Sequence, residues 1–171
     1  MMIKAKYEGN LRTSLKHIKS GKMIVTDAPI DNLGKGEFFS PTDLLCSSLA
    51  SCVLTIMAIA ANKHEINLKG TEIDVIKKMS SSPRMISKIN LDINFKQNFE
   101  PRHVVILERA VLSCPVHRSL NPDIDLDIER QLNESIAELD DYAEQGKNAE
   151  KSVTEFVKDL GVAVELEQES Y

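Results

Sequence analysis

At 171 residues, 42% hydrophobic and 27% charged with no tryptophan, the chain has the size and composition of one folded domain. Its formal net charge of −5, with acidic residues crowded into the last third, excludes the clustered lysines and arginines that a phosphate backbone requires, so no nucleic-acid partner is expected. Three cysteines, an odd number without CxxC spacing, exclude a structural disulfide framework and leave only transient, chemical disulfides.

The N-terminus, MMIKAKYEGN, is mixed and charged where a secretory signal would be basic and then apolar, so the expected location is cytoplasmic. Three stretches with strand character follow: IKAKY, LRTSLKHI and, after the Ser20-Gly21 turn signal, KMIVTDA. They predict an antiparallel meander. The run APIDNLGKGEFF, with Pro29, Gly34 and Gly36, reads as a loop. At Ser40 a helix begins. Ser40 can accept from the first-turn amides, Pro41 suits the first helical position, and Asp43 completes a box-like pattern near the positive end of the dipole. From Leu44 to Ala61 the side chains are apolar or small on all sides, and no charge occurs before Lys63, so the helix is expected to be surrounded by protein. Its length also suits a membrane span. Ser47, Ser48, Ser51 and Thr55 punctuate it, however, and no second span or aromatic belt accompanies it, so no membrane partner is expected.

Beyond His64 and Gly70, period-2 alternation places Ile73 and Val75 on one segment. On the next, Ile86 and Ile89 are offset to Leu91, Ile93 and Phe95. The two segments predict a long hairpin across SSSPR. PRHVVILERAVLSC reads as a second helix, ended by Pro115 directly after Cys114. DIDLDIE is expected to be an edge strand, and ESIAELDDYAE and AEKSVTEFVKDLG to be helical, with VAVELE a last strand or a frayed end. This order predicts an α+β domain with helices on one side of antiparallel sheet. One sheet can hardly bury an all-apolar helix of that length, which favours a homodimer sharing its core.

A free cysteine in an apolar helix is more often packing than chemistry, and Cys46 is read that way. It lies six residues from Cys52, so the two face directions about 120° apart and cannot readily bond. Cys52 and Cys114 occupy more meaningful places, one inside the apolar helix and one beside a helix-breaking proline. A zinc site drawn from Cys52, Cys114, His64 and His117 would lack CxxC or HxxxH spacing, so no metal is expected. A Cys–His hydrolase finds no supporting signature.

The pattern PTDLL…LASC…LT with a downstream CPVH resembles the OsmC/Ohr family of thiol-dependent peroxidases, osmotically inducible protein C and the organic hydroperoxide resistance proteins. The likeness covers nearly all of residues 1–128, and YEGNLRT…H with SGKMIVTDAP…GKGEFFSPTDLL is similar to an OsmC-like subgroup. The resemblance implies an OsmC-like fold: antiparallel sheets around a long buried central helix, in an intertwined homodimer with two active sites at the subunit interface. It implies that Cys52 stands at the peroxide-attacking position and Cys114 at the resolving one. The family's active-site arginine comes from an N-terminal strand, where LRT supplies Arg12. The organic hydroperoxide resistance branch carries a glutamate ten residues before the reactive cysteine, where this chain has Thr42. Asp43 matches the OsmC-like branch's acidic position approximately. Residues 129–171 extend past the family's usual end and are read as a helical extension packed on the same domain.

The implied chemistry is thiol-dependent reduction of organic hydroperoxides. Only a thiolate attacks peroxide, and burial in an apolar helix disfavours it, so a cation such as Arg12 must offset that penalty. Cys52 would become a sulfenic acid and Cys114 would condense with it to a disulfide. An external dithiol of lipoyl or thioredoxin type would reduce the bridge. No glycine-rich nucleotide fingerprint is present and no cofactor is expected. His17 and His117 are read as packed or surface histidines. Leu45, Leu49 and Ile56, beside Cys52, would favour an alkyl over a hydrogen peroxide substrate. The alternative function is a non-enzymatic dimer of the same shape that binds a hydrophobic small molecule or senses oxidant.

Overall fold

Ser40 starts the central helix as its sequence predicts. Its hydroxyl accepts from the Asp43 amide at 3.1 Å while the Asp43 carboxylate accepts from the Ser40 amide at 2.7 Å, a complete capping box with Pro41 at the first position. The structure is a computed structural model and describes residues 2–131, which lie within one compact unit ending at Leu132. The helices read at ESIAELDDYAE and AEKSVTEFVKDLG, and the VAVELE segment, lie outside the described residues.

The chain opens with the antiparallel meander β1 (Ile3–Gly9), β2 (Arg12–His17) and β3 (Met23–Asp27), in that spatial order. A two-residue turn joins β1 to β2, with Asn10 and Leu11 both at positive φ (50° and 60°). The loop to α1 (Pro41–Lys63) is tightly built. Gly34 approaches Ala28 so closely that a Cβ there would lie 1.7 Å from the Ala28 carbonyl oxygen, and the Gly36 amide closes on that oxygen at 3.2 Å.

The second sheet begins with the expected hairpin, β4 (Glu72–Ser81) and β5 (Arg84–Asn94). Lys78 pairs with Lys88 but Met79 pairs with Ile86, so Ser87 is an extra residue in β5. This bulge explains the offset in the apolar pattern: one inserted residue lets Ile86 and then Ile89, Leu91 and Ile93 all turn to the core. After α2 (Pro101–Leu112) and the short α3 (Pro115–Arg118), β6 (Asp125–Gln131) joins the sheet beside β5, giving the order β4-β5-β6. Among the described residues it is an edge strand, as expected. Its pairing is parallel, because the helical crossover returns the chain to the same end of the sheet. The strand runs three residues past the boundary expected at residue 128.

The core is the seam between α1, β5 and α2. Leu49, Val53 and Met57 of α1 are fully buried with Ile89 and Leu91 of β5, and Leu107 and Val111 of α2 close the layer. The fold is α+β, as the element order predicts. One expectation changes. Among the described residues α1 is covered on one side only, and Leu45 and Ile59 remain 39% and 51% exposed. The meander likewise leaves Ile3, Tyr7, Met23 and Ile24 exposed.

Candidate active site

On α1 the residues at 46, 49, 50, 53 and 57 form the buried face. Cys46 belongs to it, and burial pushes its thiol pKa up despite Lys77 nearby. Leu49, expected beside Cys52, also points into the core and is fully buried. Cys52 is half-buried and sits at the border of that face, on the uncovered stripe with Leu45, Ile56 and Ile59. Its position follows from the helical period: six residues beyond Cys46 it is turned about 120° from the core centre.

Cys114 reaches the same place from the other side. The helix expected to end on it stops instead at Leu112, and Cys114 becomes the N-terminal flanking residue of α3 with φ −58° and ψ 118°. Pro115 is the reason, since a residue before proline is pushed out of the helical region. The turn is held by the Cys114 amide on the Val111 carbonyl at 3.1 Å, and the Arg118 amide on the Cys114 carbonyl at 3.1 Å. Cys114 has no solvent exposure, and the Cys52 thiol lies near enough to act on its titration. Burial pushes the Cys114 pKa up and the Cys52 thiol adds to this, while the amides of His117 and Val116 pull it partly back. Both thiols are free. A half-buried thiol beside a fully buried one can be oxidised from solvent and closed to a disulfide.

Arg12 is held elsewhere in the chain. It begins β2 directly after the tight turn and pairs across the sheet with Asp27, the last residue of β3. Its guanidinium donates to Asp27 Oδ2 at 3.1 Å and to the Glu37 carboxylate, and it lies 4.8 Å from the centre of the Phe38 ring. Neither sulfur is among these partners. Glu37 and then Asp27 favour the charged guanidinium and raise its pKa above the ordinary arginine value. Asp27 has no solvent exposure. Burial would push its carboxyl up, but the Glu37 amide, Arg12 and the Ala28 amide outweigh it and hold the group below its ordinary range. Arg12 Nε and Asp27 Oδ1 are both buried without a hydrogen-bond partner among the described residues.

The sequence reading missed Asp27 and Glu37. The meander register could have found Asp27, since the turn at Ser20-Gly21 folds the end of KMIVTDA back onto the start of LRT. Glu37 carries no such signal, because only the closed loop at Gly34 and Gly36 brings it to Arg12. Asp43, the approximate match to the family's acid, is committed to the helix cap and to Lys77 Nζ at 2.6 Å, and Thr42 to the Ser40 hydroxyl at 3.0 Å. His17 is on the surface with Nδ1 on the Ser20 hydroxyl at 2.7 Å, as expected. His117 is half-buried in α3, and its Nδ1 is buried without a hydrogen-bond partner among the described residues.

The fold and its paired thiols define the class: an α+β protein whose long central helix presents one cysteine to a second cysteine at a helix break. Residues 34–129, more than half of the chain, match the model of the OsmC-like protein family. A solved structure from Psychrobacter arcticus, named for osmotic stress induction and detoxification response, is 45% identical over 77% of this chain and 96% of its own, with a TM-score of 0.74. The chain therefore belongs to the OsmC-like family. The OsmC-like protein of Mycoplasma pneumoniae (19% identity, 76% and 94% coverage, TM-score 0.65) shares the fold. So does an organic hydroperoxide resistance protein OsmC from Legionella pneumophila (15% identity, 77% and 98% coverage, TM-score 0.63). Comparison with curated protein sequences gives no match.

Proposed function

We propose that the protein is a cytoplasmic, homodimeric thiol peroxidase that reduces organic hydroperoxides. The carrying observation is the closeness of the Cys52 and Cys114 thiols, a half-buried sulfur on α1 beside a fully buried one at the α2–α3 break. In this reading the Cys52 thiolate attacks the distal peroxide oxygen, the O–O bond breaks and alcohol leaves after protonation. Cys52 is then the sulfenic acid. Cys114 attacks that sulfur, water leaves and a disulfide forms. An external dithiol, lipoyl or thioredoxin-type, returns both thiols. Similarity to structures named as organic hydroperoxide resistance proteins supports the substrate class.

Two features support the dimer. The stripe of Leu45 and Ile59 flanking Cys52 and the exposed apolar side chains of the meander both lack cover among the described residues. Arg12 keeps a buried Nε–H that is unpaired among the described residues, a donor suited to an anion arriving from a second subunit. Arg12 would thus act on the Cys52 of its partner, with Asp27 and Glu37 fixing its guanidinium.

A second reading, binding of a hydrophobic small molecule, is favoured by a cavity of about 240 Å³ lined by Met57, Phe95, Phe99, Leu107 and Ile128, with Phe95 edge-on to Phe99 at 5.1 Å. Neither Cys52 nor Cys114 lines it. Steady-state consumption of cumene hydroperoxide with dihydrolipoamide separates the two. Many turnovers per chain are expected of a peroxidase, and at most one equivalent consumed would leave the binding reading.

A further inference from the structure

We propose that the cavity at the seam of α1, β5 and α2 binds one uncharged, single-ring aromatic molecule of about ten carbons, apart from the two thiols. The inference rests on the small-molecule reading given above and needs no peroxide turnover. Depth distinguishes this cavity from a shallow apolar face. Met57 of α1, Ile93 of β5 and Leu107 of α2 line it while almost wholly removed from solvent, so the space reaches the layer that packs the core. Close-packed interiors tolerate few voids larger than one water. At about 240 Å³ this one has room for about eight waters, each taking about 30 Å³ of liquid. Waters there would find few side-chain partners, because Glu108 is the single polar side chain among the described residues that line it.

The walls select the ligand. An apolar cavity of about 150 Å³ takes up benzene, so in proportion this one suits about ten carbons. Phe95 and Phe99 meet edge to face, with ring centres 5.1 Å apart and planes at 88°, an arrangement that a third ring can extend. Both are half-buried, and with Leu112, 65% exposed, they stand between the cavity and solvent. Glu108 disfavours a carboxylate ligand, since its own carboxyl group lies in the wall. The site is also separate from the thiols. Met57, five residues beyond Cys52, is turned about 140° from it around α1, so the cavity and the uncovered stripe lie on different faces of the helix.

The test is calorimetric titration of the full chain with n-butylbenzene, which has ten carbons and no charge. One molecule should bind per chain with a Kd on the order of 0.1 mM. Decanoate, with ten carbons and a carboxylate, should bind about tenfold more weakly. Val104→Phe, which adds volume inside the cavity, and Leu112→Trp, at its exposed mouth, should each weaken butylbenzene binding about tenfold. Alkylation of Cys52 by iodoacetamide should run at the same rate with and without butylbenzene. Absence of saturable binding by the parent removes both the inference and the small-molecule reading. Binding that survives both substitutions, or that slows Cys52 alkylation, keeps that reading but puts the ligand elsewhere and overturns the inference. Decanoate binding as tight as that of butylbenzene overturns the assigned ligand class.

Discussion

Asp43 decides whether the acid nearest the family's supporting position is catalytic or structural. Its carboxylate accepts from the Ser40 amide at 2.7 Å, the Ser40 hydroxyl at 2.8 Å and Lys77 Nζ at 2.6 Å, which assigns it to the start of α1 and to the α1–β4 contact. Asp43→Ala removes the reciprocal half of the capping box, a loss of about 1 kcal/mol. It also breaks the Lys77 pair. The Asp43 and Lys77 side chains are 38% and 20% exposed, so solvent screening reduces that contribution to about 0.5 kcal/mol. The sum, about 1.5 kcal/mol, corresponds to a fall in Tm of about 5 °C. Asp43→Asn keeps an acceptor for the Ser40 amide and loses only the charge, so it should show about a third of the effect. The pH dependence identifies the cause. Burial would push the Asp43 carboxyl up, but Lys77 and Ser40 outweigh it and hold it below its ordinary value. A depressed carboxylate contributes stability that is complete above the unfolded pKa of about 4 and is lost as pH falls through the folded value. The gap between parent and Asp43→Asn, measured by urea unfolding, should therefore be widest near neutrality and close below about pH 4. Peroxide turnover of the folded variant should stay within about threefold of the parent, a change of under 1 kcal/mol in barrier. Parent-like stability in both variants, or a collapse of turnover in Asp43→Asn with its fold intact, would refute the structural assignment.

The cysteines should fail in different ways. Cys52→Ser should abolish peroxide consumption and leave Cys114 reduced after mild oxidant. Cys114→Ser should accumulate a dimedone-trappable sulfenic acid at Cys52 while turnover falls, and Cys46→Ser should do neither. Peptide mapping of the oxidised parent should join Cys52 to Cys114, and a bridge from Cys46 to either partner would count against these roles. Arg12→Ala should slow alkylation of Cys52 by iodoacetamide at neutral pH several-fold, because the cation that favours the thiolate is lost. An unchanged rate would return Arg12 to a purely structural part in the meander. Sedimentation at micromolar concentration should give a dimer, and Leu45→Asp with Ile59→Asp, on the uncovered side of α1, should shift it to monomer. A well-folded parent monomer at that concentration would remove the shared-core argument.

Local rules written in the sequence determined much of this protein. The Ser40-Pro41-Asp43 start, the turn at Ser20-Gly21, the alternation in β4 and β5 and the break before Pro115 depend on neighbours a few residues away, where capping, turn and φ/ψ preferences act. The helical period alone also separates Cys46 from Cys52. What tertiary structure decided is what depends on distant partners. The bulge at Ser87 reconciles two apolar registers on one face, and β6 pairs parallel because α2 and α3 carry the chain back across the sheet. The carboxylates on Arg12 are Asp27 and Glu37 rather than Asp43, because a cross-strand register and a closed loop bring them there while the cap and Lys77 hold Asp43. The meeting of Cys52 with Cys114 likewise needs α2 packed against α1, since proximity between thiols so far apart in the chain is a property of the core that joins them.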